Sequence, residues 1–175
     1  MGILAFAFPG QGAQHVGMGQ GLYAQSQAAK AILDQADSMM PGLLDLCFQG
    51  PLDRLTETAT AQPALFAVSL AAAAAAREAG LYPQASAGFS LGEWTAIADA
   101  GMLPFEEAFH LVKQRGQLMQ ACAERQPGGM AAVLRKSAQE VLDLIQGHEG
   151  VHAVNFNAPD QVVVAGAHEA LDRFL

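Results

Sequence analysis

The residues that most clearly suggest chemistry form the pentapeptide Gly88-Phe89-Ser90-Leu91-Gly92. A serine between two glycines, after a short apolar segment and before a helical one, is typical of a tight strand-to-helix turn that exposes a nucleophilic hydroxyl. In such a turn the next backbone N–H, that of Leu91, points towards the negative oxygen that develops on an attacked carbonyl. The pattern therefore predicts Ser90 as a nucleophile in acyl transfer and Leu91 as an oxyanion donor.

A purely structural role for the same serine is also open. Ser90-Leu91-Gly92-Glu93 has the spacing of a helix capping box, in which the serine accepts from the first turn and Glu93 reaches back. The two interpretations are incompatible, because a hydroxyl bonded to helix N–H groups is not free to attack a carbonyl.

A second glycine-rich turn, Pro9-Gly10-Gln11-Gly12, follows the first apolar segment. It does not fit a phosphate-binding loop, since Met18 stands where such a loop needs lysine and no Gly-x-Gly-x-x-Gly pattern is completed. A loop at the end of a neighbouring strand can instead supply a second oxyanion donor, and we expect Gln11 to do so.

A cation on an apolar helix face is the third informative feature. With residues 105–122 placed on a helix, Arg115 falls on the face of Ala108 and Val112. An unpaired buried charge is costly, so the guanidinium needs an anionic partner. That partner is either an internal carboxylate, Glu93 or Asp99, or the carboxylate of a substrate, unless the side chain extends to the surface.

His148-Glu149-Gly150-Val151-His152 has the spelling of a zinc-peptidase motif. That motif binds metal only on a helix, where both imidazoles lie on one face. Glycines and a strand-like continuation surround this copy, so we expect a loop and no metal site.

Composition excludes several classes of function. The 175 residues carry a net charge of −8, which is unsuited to nucleic acid or to an anionic membrane. The most apolar stretch, 63–76, is shorter than the roughly 20 residues of a membrane span, and we expect a buried helix. Cys47 and Cys122 show no disulfide or metal spacing, so both are expected to be core thiols in a cytoplasmic protein.

Beyond residue 129 the pattern changes to short strands and helices, which is typical of an α+β arrangement. Residues 126–129, Gln-Pro-Gly-Gly, form the best candidate linker, so domains are expected at 1–126 and 127–175. Strands are predicted at 3–8, 84–88, 130–135, 151–156 and 161–165. Helices are predicted at 17–40, 51–57, 62–79, from the turn at Ser90 to 100, at 104–124, at 137–147 and from 167.

Taken together, six motifs resemble those of the malonyl-CoA:acyl carrier protein transacylases, in order and over the whole chain. They are Phe8-Pro9-Gly10-Gln11-Gly12-Ala13-Gln14, Gln62-Pro63-Ala64, Gly88-Phe89-Ser90-Leu91-Gly92-Glu93, Gln114-Arg115-Gly116 with Met119-Gln120, Gly129-Met130-Ala131-Ala132 and Asn155-Phe156-Asn157-Ala158-Pro159.

The resemblance implies that Ser90 takes a malonyl group from malonyl-CoA and passes it to the phosphopantetheine thiol of acyl carrier protein, in fatty-acid or polyketide synthesis. It implies Gln11 and Leu91 as the oxyanion hole and Arg115 as the clamp for the malonyl carboxylate, with no permanently bound cofactor. It also implies an α/β-hydrolase-like large subdomain with an inserted ferredoxin-like small subdomain, in which this chain stops.

Two departures from the family pattern matter. Phe89 stands where the family usually has histidine directly before the serine. The family's general-base histidine belongs to a later part of the sequence, and none of the five histidines here is expected to replace it. We therefore expect this chain alone to be poorly active. A serine hydrolase or thioesterase with the same strand-to-helix turn around its serine, and a non-catalytic fragment, remain the alternatives.

Overall fold

The computed structural model describes residues 2–175, and Met1 lies outside them. The chain forms two compact units, Met1–Gln120 and Ala121–Leu175. Both units combine helices and strands, as the α/β prediction requires. The division into domains at 1–126 and 127–175 stays a prediction.

The first unit is built on two short parallel strands, β1 (Ala5–Phe8) and β2 (Ala85–Gly88), paired from Ala5 with Ala85 to Phe8 with Gly88. Parallel pairing brings the carboxyl ends of both strands to one edge, where the Pro9 loop and the Ser90 turn leave the sheet. Its helices are α1 (Gln20–Gln25), α2 (Gln27–Met39), α3 (Leu43–Gln49), α4 (Leu52–Thr56), α5 (Thr58–Glu78), α6 (Leu91–Asp99) and the greater part of α7 (Phe105–Arg125).

Helix α5 forms the centre of this unit. It packs against α2 and α6, and its Phe66 ring meets the rings of Phe105 and Phe109 from α7. In length and composition α5 could cross a membrane, yet 61% of its most apolar window is buried within the protein. That burial agrees with the predicted core helix.

The helix predictions need three corrections. The helix expected over 17–40 is two helices, because Ser26 leaves the helical conformation and its hydroxyl caps α2 by accepting from Ala29 N–H at 3.0 Å. Helix α5 begins at Thr58, so Pro63 lies inside it and not in its first turn. Helix α3 was not predicted, since two turns are stable only where packing buries a face, here Leu43 and Cys47.

The cysteine prediction is half right. Cys47 is a core thiol, and burial together with the nearby Asp37 carboxylate raises its pKa to about 12. Cys122 is exposed, so the expectation of a second core thiol is wrong.

The second unit is a three-stranded antiparallel sheet with helices on its buried side. Its strands are β3 (Gly128–Leu134), β4 (Val151–Ala158) and β5 (Gln161–Ala167), in the order β3-β5-β4, and its helices are α8 (Ala138–Ile145) and α9 (His168–Phe174). Val141, Val162 and Val164 are fully buried between the layers. Gly128 and Gly129, expected in a linker, belong to β3 and pair with β5.

Candidate active site

Ser90 lies at a strained turn between β2 and α6. Its φ of 52° and ψ of −104° place a non-glycine residue in a region that side chains disfavour. The strain is sustained by close packing of the flanking glycines. A Cβ added to Gly88 would overlap the Gly92 carbonyl, and one added to Gly92 would lie 2.8 Å from the Pro9 oxygen. Both positions therefore require glycine, and the turn has the geometry of a nucleophile elbow.

The serine hydroxyl does not cap the helix. Ser90 occupies the N-cap position of α6, but its side chain accepts no hydrogen bond from the first turn. The Glu93 N–H bonds instead to the Ser90 carbonyl, at 3.2 Å. The capping-box alternative is therefore wrong, because the backbone conformation at Ser90 turns the hydroxyl away from the helix.

The Pro9 loop lies directly against this elbow. The Phe89 N–H donates to the Phe8 carbonyl at 3.2 Å, and a Cβ on Gly10 would come within 2.8 Å of the Phe89 ring. Gln11 is thereby held next to the serine turn, with its side-chain amide donating to the Thr58 hydroxyl at 3.2 Å. The loop and the elbow consequently form one packed unit.

Two backbone donors at this junction have no acceptor among residues 2–175. They are the N–H groups of Gln11 and Leu91. Leu91 is only 1% exposed and opens helix α6, so its N–H is one of the unsatisfied donors at the positive end of the helix. A buried N–H without a partner is uncommon. Such a donor is available to a negatively charged oxygen that forms only during a reaction.

Arg115 extends from α7 to the serine. Its Nη2 donates to Ser90 Oγ at 3.3 Å, and its Nη1 donates to Gln62 Oε1 at 2.6 Å. No carboxylate in the described part of the chain lies within 4.0 Å of the guanidinium. Asp99, one of the internal partners considered, is instead bound by Arg77 at 2.6 Å. Arg115 is half-buried, and its guanidinium lies beside the serine hydroxyl without a carboxylate partner in the described chain.

This arrangement is accompanied by a family match over almost the whole chain. The family described as the acyl transferase domain matches residues 5–175. The chain belongs to that family.

Individual members of the family agree with the expected resemblance. The malonyl CoA-acyl carrier protein transacylase of Bacillus subtilis strain 168 is 40% identical over 98% of the chain, which spans 56% of that relative. The acyl-carrier-protein-S-malonyltransferase structure from Bartonella henselae superposes with a TM-score of 0.91, at 35% identity, over 99% of this chain and 58% of that one. The chain thus spans just over half the length of these relatives.

A third member was solved with a partner. It is a malonyl-transacylase in complex with the acyl carrier protein of a type II polyketide synthase. It is 36% identical, with a TM-score of 0.87, over 99% of this chain and 58% of that one.

One residue at this candidate site was given no role from the sequence, although it belongs to the motif Gln62-Pro63-Ala64. Gln62 is 0% exposed, and it joins α5 to Arg115 and to Met119, whose sulfur lies 3.2 Å from Gln62 Nε2. Besides that motif, its signal in the sequence is an amide within an otherwise apolar helical segment. The sequence pattern does not identify the hydrogen-bond partners of the amide.

The histidines do not complete the site within the described chain. None of them hydrogen-bonds Ser90, and His15 points its Nδ1 to the carbonyl of Ala13 at 3.3 Å. His148 lies in the turn after α8 and His152 in strand β4, so the zinc-peptidase spelling does not fall on one helix. Among residues 2–175 no group of three His, Cys, Asp or Glu side chains could hold a metal ion.

Proposed function

We propose that the protein carrying this chain is a malonyltransferase that moves a malonyl group from malonyl-CoA to the phosphopantetheine thiol of acyl carrier protein. The observation that carries the proposal is the unpaired Arg115 guanidinium 3.3 Å from the hydroxyl of a strained-elbow serine. A nucleophile next to a free cation suits an acyl group that itself carries a carboxylate.

In the first half-reaction Ser90 Oγ attacks the thioester carbonyl of malonyl-CoA. A C–O bond forms, the C–S bond breaks and coenzyme A leaves as its thiol, while the serine proton passes to a general base. The N–H groups of Leu91 and Gln11 would hold the oxygen of the tetrahedral intermediate, since both lack another acceptor within the described chain. In the second half-reaction the carrier-protein thiol attacks the seryl ester. A C–S bond forms, the C–O bond to Ser90 breaks, the thiol proton passes through the base to the serine oxygen, and malonyl thioester is released.

The general base is expected outside this chain. The resemblance implies a histidine in the part of the transacylases that the chain does not span. A serine without its base keeps its proton near neutral pH and loses most of its rate. We infer that residues 1–175 alone acylate slowly and that the full-length protein is the competent enzyme.

Arg115 would select the acyl group. The malonyl carboxylate is one methylene away from the ester carbonyl, so it lies close to the guanidinium that already contacts Oγ. Of the five N–H donors of arginine, two are directed to Gln62 and Ser90, which leaves enough for a bidentate carboxylate contact. A neutral acyl group would leave the guanidinium charge unpaired.

The partner and location follow from the proposed reaction. Acyl carrier protein is the proposed acceptor, because one structural relative was solved in complex with such a protein. We propose a cytoplasmic enzyme of fatty-acid or polyketide synthesis, with no resident cofactor or metal and no role for nucleic acid or membrane. The net charge of −8 disfavours the last two partners.

We further propose that the two units are parts of the subdomains implied by the resemblance. In the second unit the succession β-α-β-β-α and the strand order β3-β5-β4 support a ferredoxin-like topology that would add a fourth strand beside β3. In the first unit the strand–elbow–helix sequence around Ser90 supports an α/β-hydrolase-like sheet.

The decisive experiment is incubation of the full-length protein with malonyl-CoA, followed by peptide mass mapping. A malonyl ester is expected on Ser90, and it should be absent in Ser90→Ala. Absence of any adduct on Ser90 in the full-length protein would reject the proposal. Recovery of free malonate or fatty acid without transfer to acyl carrier protein would favour a serine hydrolase or thioesterase.

Arg115→Ala separates the proposed enzyme from a hydrolase of neutral esters. Loss of two charge-assisted hydrogen bonds, each about 1.5–3 kcal/mol, should lower kcat/KM for malonyl-CoA at least about 100-fold. The value for acetyl-CoA should change little. Equal malonyl labelling in the variant and the wild type would contradict the assigned role.

A further inference from the structure

A single amide connects the core of the first unit to the proposed site. Gln62 is fully buried in α5, a helix whose other buried side chains are nearly all apolar. Burying an amide without hydrogen bonds costs several kcal/mol, whereas an apolar residue of similar size would fill the same space at no such cost. The amide therefore requires partners, and they are the Arg115 guanidinium and the Met119 sulfur.

The chemistry of these partners fixes the orientation of the amide. An arginine can only donate hydrogen bonds, and a thioether sulfur can only accept them. The oxygen of Gln62 must consequently face Arg115, at 2.6 Å from Nη1, and the nitrogen must face Met119, at 3.2 Å from Sδ. A rotation that exchanged the two atoms would break both bonds, so the acceptor is held in one place.

Close packing of the two helices supports the same contact. A Cβ on Gly116 would lie 2.9 Å from the Thr58 carbonyl oxygen, so α7 reaches the first turn of α5 only with glycine there. One turn further along α7, the Gln120 side chain accepts from the Ala59 N–H at 3.0 Å. Arg115 therefore leaves α7 at a rigid junction, and its end is bound to the opposite helix.

The neutrality of the acceptor has a consequence for charge. A carboxylate in the place of Gln62 would hold the guanidinium equally well but would also neutralise it. The amide oxygen holds one end of the guanidinium and leaves its full charge without a counter-ion among the described residues.

We propose that Gln62 is a positioning residue that orients Arg115 through an uncharged acceptor and so reserves the positive charge for an anionic acyl group. This inference rests on the proposed malonyltransferase function. It assigns to Gln62 no contact with the substrate, only the placement and the free charge of the group that makes the contact.

The test compares two acyl donors in the full-length protein and three variants. Gln62→Met keeps the length of the side chain and removes the acceptor, whereas Gln62→Glu keeps an acceptor oxygen and adds a negative charge. Thr60→Val serves as the control, since Thr60 is a buried polar residue of the same helix without a hydrogen bond to Arg115. Initial rates are measured with malonyl-CoA and acetyl-CoA, and folding is checked by thermal unfolding.

The ratio of kcat/KM for malonyl-CoA to that for acetyl-CoA should fall about 10–100-fold in Gln62→Met, as expected for loss of a hydrogen bond to a charged group. It should fall further in Gln62→Glu, because the new carboxylate competes with the substrate for Arg115. Thr60→Val should leave the ratio within about twofold of wild type, since no contact to Arg115 is changed.

Two results would overturn the inference. One is an unchanged ratio in folded Gln62→Met or Gln62→Glu, and the other is an equal loss with both donors, which indicates a purely structural role. If Gln62→Met does not fold, Gln62→Glu decides, because it retains size and acceptor. A wild-type protein that forms no seryl malonate rejects the proposed function itself, and that outcome is separate from the selectivity of the variants.

Discussion

Substitution of Gly92 by alanine tests how the elbow is built. The added Cβ would overlap the Phe8 carbonyl group. It would lie 2.7 Å from the Phe8 carbonyl carbon and 2.8 Å from the Pro9 carbonyl oxygen. These atoms belong to the backbone, so no change of rotamer relieves the overlap, and either the end of β1 or the start of α6 must move by about 1 Å. Overpacking of this kind costs typically 1–3 kcal/mol, and backbone contacts put the expected loss at about 3 kcal/mol.

The same displacement should impair catalysis, because Gly92 adjoins the Ser90 turn and the Pro9 loop. A misplacement of about 1 Å can lower a rate roughly 100-fold. We expect Gly92→Ala to lower the free energy of unfolding in urea and to slow malonyl labelling of Ser90 by that factor in the full-length protein.

Gly21→Ala is the matched control for this prediction. Gly21 lies in α1 with a negative φ and no atom within 4 Å of an added Cβ. Alanine there should leave labelling unchanged and stabilise the helix slightly, by about 0.5–1 kcal/mol. The reasoning is refuted if Gly92→Ala unfolds and labels like the wild type, or if the two variants lose stability equally.

Two further predictions concern stability. Asp99→Ala should destabilise the first unit by about 3 kcal/mol in urea unfolding, because the Asp99 carboxylate is 1% exposed and binds the partly exposed Arg77. Asp45→Ala is the control, because Asp45 is exposed; it should change stability by no more than about 0.5 kcal/mol. In α8 the Glu140 carboxylate closes a capping box with Ser137, and those hydrogen bonds hold its pKa below the ordinary 4.5. Glu140 therefore stabilises the fold above that value and ceases to do so as pH falls through its lowered pKa. Glu140→Gln should be less stable than wild type at neutral pH, and the difference should vanish once the pH lies below that lowered pKa. A stability difference that persists in strong acid would contradict this.

Local sequence patterns were sufficient for the candidate nucleophile. The two glycines and the serine lie within five residues, and their conformational requirements are local, so the turn around Ser90 was predictable. The loop with Gln11 was likewise predictable, since it directly follows an apolar strand. Whether the serine capped its helix was not, because that depended on one φ angle, 52°, which is set by packing of Gly92 against the first strand.

The environment of Arg115 was beyond sequence reasoning. Helical periodicity placed Arg115 on the apolar face, but three partners were compatible with that placement. The structure shows that Arg77 binds Asp99, and that Arg115 donates to Ser90 and to Gln62, the latter 53 residues away in the chain. Hydrogen bonds between residues far apart leave no periodic signal in a sequence.

The sequence by itself determined the order and type of nearly every helix and strand, because hydrophobic spacing and Gly and Pro positions act over a few residues. Tertiary structure alone decided where several elements begin and end. It broke the first long helix at Ser26, started α5 ahead of Pro63, stabilised the short α3 through Leu43 and Cys47, and left Cys122 exposed. These outcomes depend on which surfaces meet in the folded chain, as does the free charge of Arg115 beside Ser90.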